Sequence, residues 1–484
     1  VTLRVCVDFG STYTKACVVD LGTSTRPPQV LARTSHRTTV DTDVLEGWAA
    51  CRADLERQVP GAGDAPVLAC SSAGGGLRIA VVGNEQLVTS EAGRRVALSS
   101  GGRVVHVASG PLDAAALEAL VAARPDVLLL AGGTDGGNAE VLEHNARALA
   151  GSGPAITTVP VVVAGNADAA VEVAGILAAA GVPTQTCANV MPRIGAFTPE
   201  PARAALRAMF LSHVIGGKHL SAGEAFAAMV RGATPDLMLA AVELMAGGPG
   251  GPGVAGAGWG DVVVVDVGGA TTDVYSVVEV DPESAGRDVV GLVPATRTVE
   301  GDLGMRWSAV STVAEAVAAG LVPAADQADA ERRALARQDD PGLVPATDGD
   351  PDPEASDVTE SGFDLRLAGW SAALAVRRHA GRAQVRFDSG GGSGPARLVE
   401  RTGTDLREVG VVVGSGGVLR HAADPGAAVA VLTEHLTGPG AADGGWQVPE
   451  RARVVLDRDH LLMPAGLLAA DHPEAAYALL TALG

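Results

Sequence analysis

Aromatic residues are scarce in this chain. They make up 3% of the 484 residues, against 47% hydrophobic residues in all, so the cores must be built from Ala, Val and Leu. Lysine is scarce too, the basic residues being nearly all Arg. With the heavy use of Ala, Gly and Val, this reads as a GC-rich coding bias rather than a functional signal. Cysteine is limited to Cys6, Cys17, Cys51, Cys70 and Cys187. The number is odd and no Cys-x-x-Cys pair occurs, which argues against a disulfide framework, a zinc site or an iron–sulfur cluster. A reduced cytoplasmic compartment is then the expectation. No run approaches the ~18 apolar residues of a membrane span. Positive charge is also in deficit, the formal net charge being −20. So acidic a chain repels phosphate backbones and anionic lipid, so neither nucleic acid nor membrane is expected as a partner. The first residues enter a strand pattern directly, leaving no room for a signal peptide. Val1 in place of Met points to a trimmed or recoded start.

What is present is one device used twice. Residues 8–15 read Asp-Phe-Gly-Ser-Thr-Tyr-Thr-Lys, and residues 266–273 read Asp-Val-Gly-Gly-Ala-Thr-Thr-Asp. Each stands between two short β-branched runs, which predicts a strand–turn–strand hairpin. Glycine lets a phosphate reach backbone N–H groups that a side chain would cover. Around Gly10, the hydroxyls of Ser11, Thr12 and Thr14 and the charge of Lys15 could join them. The second copy offers Gly268, Gly269, Thr271 and Thr272. Asp8 and Asp266 close their strands, where a carboxylate could hold hydrated Mg²⁺ or orient an attacking water. The bland alternatives are an ordinary hairpin turn and a turn-capping aspartate.

Elsewhere strands and helices alternate, which predicts an α/β layer structure with largely parallel sheet. Helices are expected at Val44–Gln58, Asn84–Leu98, Leu112–Ala123, Asn138–Ala150 and Ala169–Ala180. Between them fall strand patterns at Pro66–Ser71, Leu77–Val82, Val104–Ser109, Val127–Ala131 and Val161–Ala164, with Gly74–Gly76 as a break. Residues 200–246 carry almost no strand signal and read as helical, and they are the expected partner-contact surface. Gly247–Gly260 reads as a flexible linker. Residues 323–360 are acidic and Pro-rich, as in a solvated loop wrapped round at most one helix. Met305–Ala319 and Phe363–Arg378 read as helices, Ser389–Pro395 as a loop tip and Val409–Val413 as a buried strand. The domain organisation expected is a first lobe over 1–195, a helical segment and linker over 196–260, and a second lobe over 261–484.

Asp8–Lys15 resembles the first phosphate loop of the superfamily of actin, sugar kinases and seventy-kilodalton heat-shock ATPases, and Asp266–Asp273 resembles the second. Gly414, Ser415, Gly416 and Gly417, after an apolar strand, resemble its adenosine motif. Gly165–Ala170 resembles its first connecting segment and Ala465–Leu468 its second. The resemblance implies a two-lobed actin-like ATPase fold with ribonuclease-H-like cores, a helical insertion, and Mg·ATP held between the lobes. Three longer stretches are more specific: Leu130–Asn138, Val299–Arg306 and Arg377–Gly381. They resemble the MutL-type accessory proteins of glutamate mutase. This resemblance implies an ATP-dependent chaperone that reactivates an adenosylcobalamin-dependent mutase, hydrolysis moving the lobes to exchange cofactor.

Several residues keep more than one reading. Gly132, Gly133 and Thr134, in a strand-to-helix turn, could touch the γ-phosphate, form an effector site or simply turn the chain. Gly301, Asp302 and Gly304 could meet a phosphate or ribose, or Asp302 could cap the following helix. Asp168 is a candidate catalytic base. His379 reads as a cation at a helix C-terminus, with a ligand role as the alternative. No Asp-x-His-x-x-Gly motif occurs, so the chain is not expected to hold cobalamin. Asp266–Val274 also resembles the phosphate loop of hydantoinase- and oxoprolinase-type ATP-dependent amidases. A small-molecule kinase and a nucleotide-gated filament protein are further alternatives.

Overall fold

In the computed structural model the described residues are 2–10, 12–23, 25–40, 42–73, 77–85, 89–100, 102–221 except 215–219, 224–250, 258–279, 294–343, 359–388 and 396–483. Ser11, the Gly74–Gly76 break and the Ser389–Pro395 loop tip lie outside them. Two compact units form. One is built from the residues up to Ala241 together with Met463–Leu479; the other is built from Val242–Glu279, from Arg297 to Leu462 and from Leu480 onward.

The first unit contains β1 (Leu3–Phe9), β2 (Tyr13–Asp20), β3 (Gln29–Arg37), β4 (Val67–Ser71), β5 (Arg78–Gly83), β6 (Arg103–Ser109), β7 (Val127–Leu130), β8 (Val161–Val163), β9 (Thr184–Thr186) and β10 (Val230–Ala233). They make two five-stranded sheets. The order in one is β10-β4-β1-β2-β3. Here β1, β2 and β3 run antiparallel in sequence, while β4 and β10 run parallel to β1. The other, β6-β5-β7-β8-β9, is wholly parallel. Its apolar runs are covered on both faces, as parallel strands require. Ile79 and Val81 join the core that also holds Val7 and Phe9, while Ala80 and Val82 join a separate core with Leu128 and Leu130. The predicted helix at Val44–Gln58 forms, with the Asp43 carboxylate capping it through the Leu45 N–H at 2.8 Å.

The second unit contains β11 (Val262–Val267), β12 (Thr272–Val277), β13 (Ala295–Glu300), β14 (Arg382–Asp388), β15 (Ala396–Thr402), β16 (Val411–Ser415) and β17 (Arg453–Leu456). Its main sheet runs β13-β12-β11-β16-β17, and β14 and β15 pair apart from it. This repeats the strand order of the first sheet: an antiparallel hairpin pair at one side, two parallel strands at the other. Two α/β cores of one topology are what the expected ribonuclease-H-like lobes require. Helix Glu360–His379 packs against β11 and β12.

Three sequence expectations change. Residues 230–233, inside the segment read as helical, form β10 on the edge of the first sheet; Val-Arg-Gly-Ala is too short to show a strand period. Residues 327–339 form the one helix that the loop reading of 323–360 allowed, and its Arg333 and Arg337 are buried. They meet Asp364, Glu360 and the Phe363 ring. The helix expected from Met305 begins at Ala309, because Met305 and Arg306 donate their N–H groups to Gly268 and Gly269 carbonyls. Gly165–Ala170 is not a connecting segment: it follows β8 in the parallel sheet. The chain passes from the first unit to the second within helix Thr234–Gly247, and returns within helix Leu462–Leu468. These helices meet closely, since a side chain at Gly466 would overlap the Leu237 carbonyl oxygen. Among the described residues no helix is long and apolar enough to cross a membrane.

Candidate functional site

The two hairpin turns are built alike. Gly10 donates its N–H to the Tyr13 carbonyl at 3.1 Å, and Gly268 donates its N–H to the Thr271 carbonyl at 2.9 Å. A Cβ at Gly10 would lie 2.7 Å from the Tyr13 oxygen, and one at Gly268 would lie 2.8 Å from the Thr271 oxygen. Either turn would have to open to admit any other residue. In register, Asp8 stands opposite Lys15, and Asp266 stands opposite Asp273. Thr14 and Thr272 are turned inward: Thr14 Oγ1 pairs with Thr38 Oγ1 at 3.2 Å, and Thr272 Oγ1 with Ser371 Oγ at 2.7 Å. Both are fully buried, so their hydroxyls anchor the hairpins to their cores and do not face a ligand. Thr12 is exposed and Lys15 half-buried.

The aspartates differ in their surroundings. Asp8 is buried, and its Oδ1 accepts from Thr234 Oγ1 at 2.7 Å and from the Cys70 thiol at 3.5 Å. Burial, then the charge of Asp8, pushes the Cys70 thiol up. Thr234 opens the helix after β10. Asp266 is half-buried and has carboxylate neighbours. Burial raises the Asp273 carboxyl, the Arg297 guanidinium pulls it back, and Asp266 raises it again. Burial likewise pushes Asp457, after β17, up to about 6, with Asp266 adding to the rise. Asp457 accepts the Leu461 N–H at 2.6 Å and the Leu462 N–H at 3.3 Å. Among the described residues no cluster of three His, Cys, Asp or Glu side chains could hold a metal ion. A divalent ion at either turn would thus need one or two carboxylates plus water or ligand oxygens, the usual manner of Mg²⁺.

The stretch around Gly301–Gly304 packs directly on the second turn. A Cβ at Gly304 would lie 2.8 Å from the Ala270 backbone carbon and from the Gly269 oxygen. Ser308 Oγ donates to the Ala270 carbonyl at 2.6 Å. The Gly304 N–H is already given to Thr312 Oγ1, so Gly304 serves close approach. Asp302 does not cap the helix; it pairs with Arg378, which also binds Glu300 and Glu315. Gly414 and Gly416 are also needed for packing, since side chains there would overlap Leu432 and the Val267 carbonyl. Ser415 stands beside Asp266 in parallel register, and Gly417 faces open space.

Gly132, Gly133 and Thr134 lie elsewhere, at the carboxyl end of β7 in the parallel sheet. Gly132 and Gly133 have φ of 146° and 73°. Buried Asn166 and Asn189 pin their loop, through the Gly137 and Gly133 carbonyls at 2.9 Å each. Asp168 is exposed at the end of β8, on a different sheet from Asp8. His379 is not a cation at a helix end. Burial pushes its imidazole down to about 4, and the neutral ring bridges Ser276 Oγ at 2.8 Å and Thr298 Oγ1 at 3.0 Å.

Residues 4–483 match the family described as MutL protein. The chain belongs to that family. Protein MutL of Clostridium tetanomorphum is 34% identical over 476 residues, covering 97% of this chain and 96% of that protein. Component A of (R)-2-hydroxyglutaryl-CoA dehydratase from Acidaminococcus fermentans is a structural neighbour at 10% identity and a TM-score of 0.28, over 99% of this chain and 97% of that one. A nucleotide-free acetone carboxylase structure matches at 14% identity and the same TM-score of 0.28, over 63% of this chain. The present chain spans about half the length of that carboxylase chain, 48% of it being covered.

Sequence reasoning missed Thr234, Arg297 and Asp457. Asp457 had a usable signal, because it ends an apolar strand as Asp266 does. Thr234 and Arg297 had none, since each matters only through a neighbour brought by the fold.

Proposed function

We propose that this protein is a slow, Mg²⁺-dependent ATPase that serves as accessory factor to an adenosylcobalamin-dependent mutase of the glutamate mutase or aminomutase type. The observation that carries the reading is the duplicated Asp-x-Gly hairpin, with one glycine bond pattern on two sheets of one strand order, in a member of the MutL family. In this reading the Gly10 and Gly268 turns supply backbone N–H groups to phosphate oxygens. The glycines themselves close these turns, and the N–H groups at the turn tips are the ones offered. Asp266, half-exposed, would hold the hydrated metal. Asp8, with one oxygen fixed by Thr234, orients the attacking water with the other. Bound Mg²⁺ supplies charge neutralisation of the phosphates. The free energy of hydrolysis then drives a conformational change that lets an inactivated mutase release its damaged cofactor.

The test is ATP hydrolysis by the purified protein, with and without an inactivated adenosylcobalamin mutase from the same source. Turnover stimulated by the mutase, with recovery of mutase activity, is the expected result. Turnover indifferent to the mutase but stimulated by a small metabolite would move the protein to the amidase or kinase class.

A further inference from the structure

Two carboxylates facing each other across one rung of a hairpin repel, and a loop that must also receive phosphates makes that repulsion worse. The second hairpin has this arrangement, Asp266 standing opposite Asp273. The first hairpin avoids it, because Lys15 stands opposite Asp8. The second hairpin has a compensating cation on the next strand. Arg297, on β13, is 4% exposed. Its Nη2 lies 2.5 Å from Asp273 Oδ1 and its Nε lies 3.1 Å from the same oxygen. The guanidinium stacks 5.6 Å from the centre of the Tyr275 ring. Asp273 Oδ2 takes the Thr271 hydroxyl at 3.3 Å. Both Asp273 oxygens are thus occupied within the hairpin and its neighbour strand. Among the described residues Arg297 Nη1 is buried without a hydrogen-bond partner.

We propose that Arg297 is a positioning residue for phosphate binding: acting on Asp273 from the neighbouring strand, it supplies the second hairpin with the cation that the first hairpin carries in register as Lys15. It cancels the Asp273 charge and occupies that side chain, leaving Asp266 as the carboxylate of the rung that meets the phosphates. The proposal rests on the nucleotide reading given above.

The test is steady-state ATP hydrolysis by the full chain carrying Arg297→Met, Asp273→Asn or both. Arg297→Met leaves an uncancelled carboxylate beside the phosphates and should raise KM for Mg·ATP about tenfold, with kcat moving less. Asp273→Asn leaves the guanidinium uncancelled and should lower KM. The double variant carries neither charge and should return KM to within about threefold of the unsubstituted protein, as neutral replacements of buried pairs are tolerated. A merely structural role predicts losses of the same sign in both single variants. If Arg297→Met does not fold, the opposite sign expected of Asp273→Asn still decides. Equal KM values across the folded variants, or a rise for Asp273→Asn, would overturn the proposal and leave the nucleotide reading standing. Absence of ATP turnover and binding in the unsubstituted protein would overturn both.

Discussion

The two hairpins share a backbone and differ in charge. Each turn closes through the same glycine N–H, and each buries its second threonine against a hydroxyl of its own core. Around the first, Asp8 is buried among a threonine hydroxyl, a thiol and the facing Lys15. Around the second, Asp266 is half-exposed and raises the proton affinity of both Asp273 and Asp457. One frame thus yields a buried carboxylate that accepts from a hydroxyl and a thiol, and a half-exposed one set among other carboxylates. Under the proposed function that difference would divide the labour, the first turn orienting and the second neutralising.

The comparison is broken most directly by removing each aspartate. Asp266→Asn should lower kcat for ATP hydrolysis by about 10²- to 10³-fold and shift its Mg²⁺ dependence upward. Asp8→Asn, which keeps an oxygen for Thr234, should lower kcat by about tenfold with little change in Mg²⁺ dependence. Equal Mg²⁺ dependence in the two variants would end the division of labour.

Titration offers the next largest effect, and both groups concerned lie in the second unit. His379 is held down to about 4, so the unfolded chain binds more protons between pH 4 and the ordinary value of 6.5. Its contribution to stability is full above 6.5 and is lost as pH falls toward 4, by at most about 3 kcal/mol. Asp457 is held up to about 6, so the folded chain binds more protons between the ordinary 3.8 and 6. Its contribution is greatest at low pH and is lost as pH rises through that window. Denaturant unfolding across pH 4–7 should therefore show a steeper rise with pH in Asp457→Asn and a flatter one in His379→Gln. The same slope in both variants would remove these groups from the account.

The smallest effect sharpens the first turn. Thr234→Val removes the hydroxyl that Asp8 Oδ1 accepts and should destabilise the protein by about 1–3 kcal/mol, since the carboxylate stays buried. Chemical denaturation measures it.

Much of this was legible in the sequence because hairpins are local. A β-branched run, Asp-x-Gly and a second run lie within a few residues, and both copies formed where the pattern placed them. Thr14 was misread because its role depends on register. It shares a rung with Phe9 rather than with Asp8, which puts it on the core face. The first connecting segment was misplaced for a different reason. Strand, glycine or asparagine, then helix is the signature of every βα unit in the parallel sheet. Membership of a sheet, rather than local pattern, separates Gly165–Ala170 from Thr234–Gly247. The four residues of β10 were invisible for the same reason, their strand character being supplied by β4 alongside.

Gly466 sets a mechanical tolerance. Because its absent side chain is where the Leu237 carbonyl already lies, the helix that carries the chain away and the helix that brings it back are spaced by bare backbone. A single methyl group at that position would have to push the two helices apart.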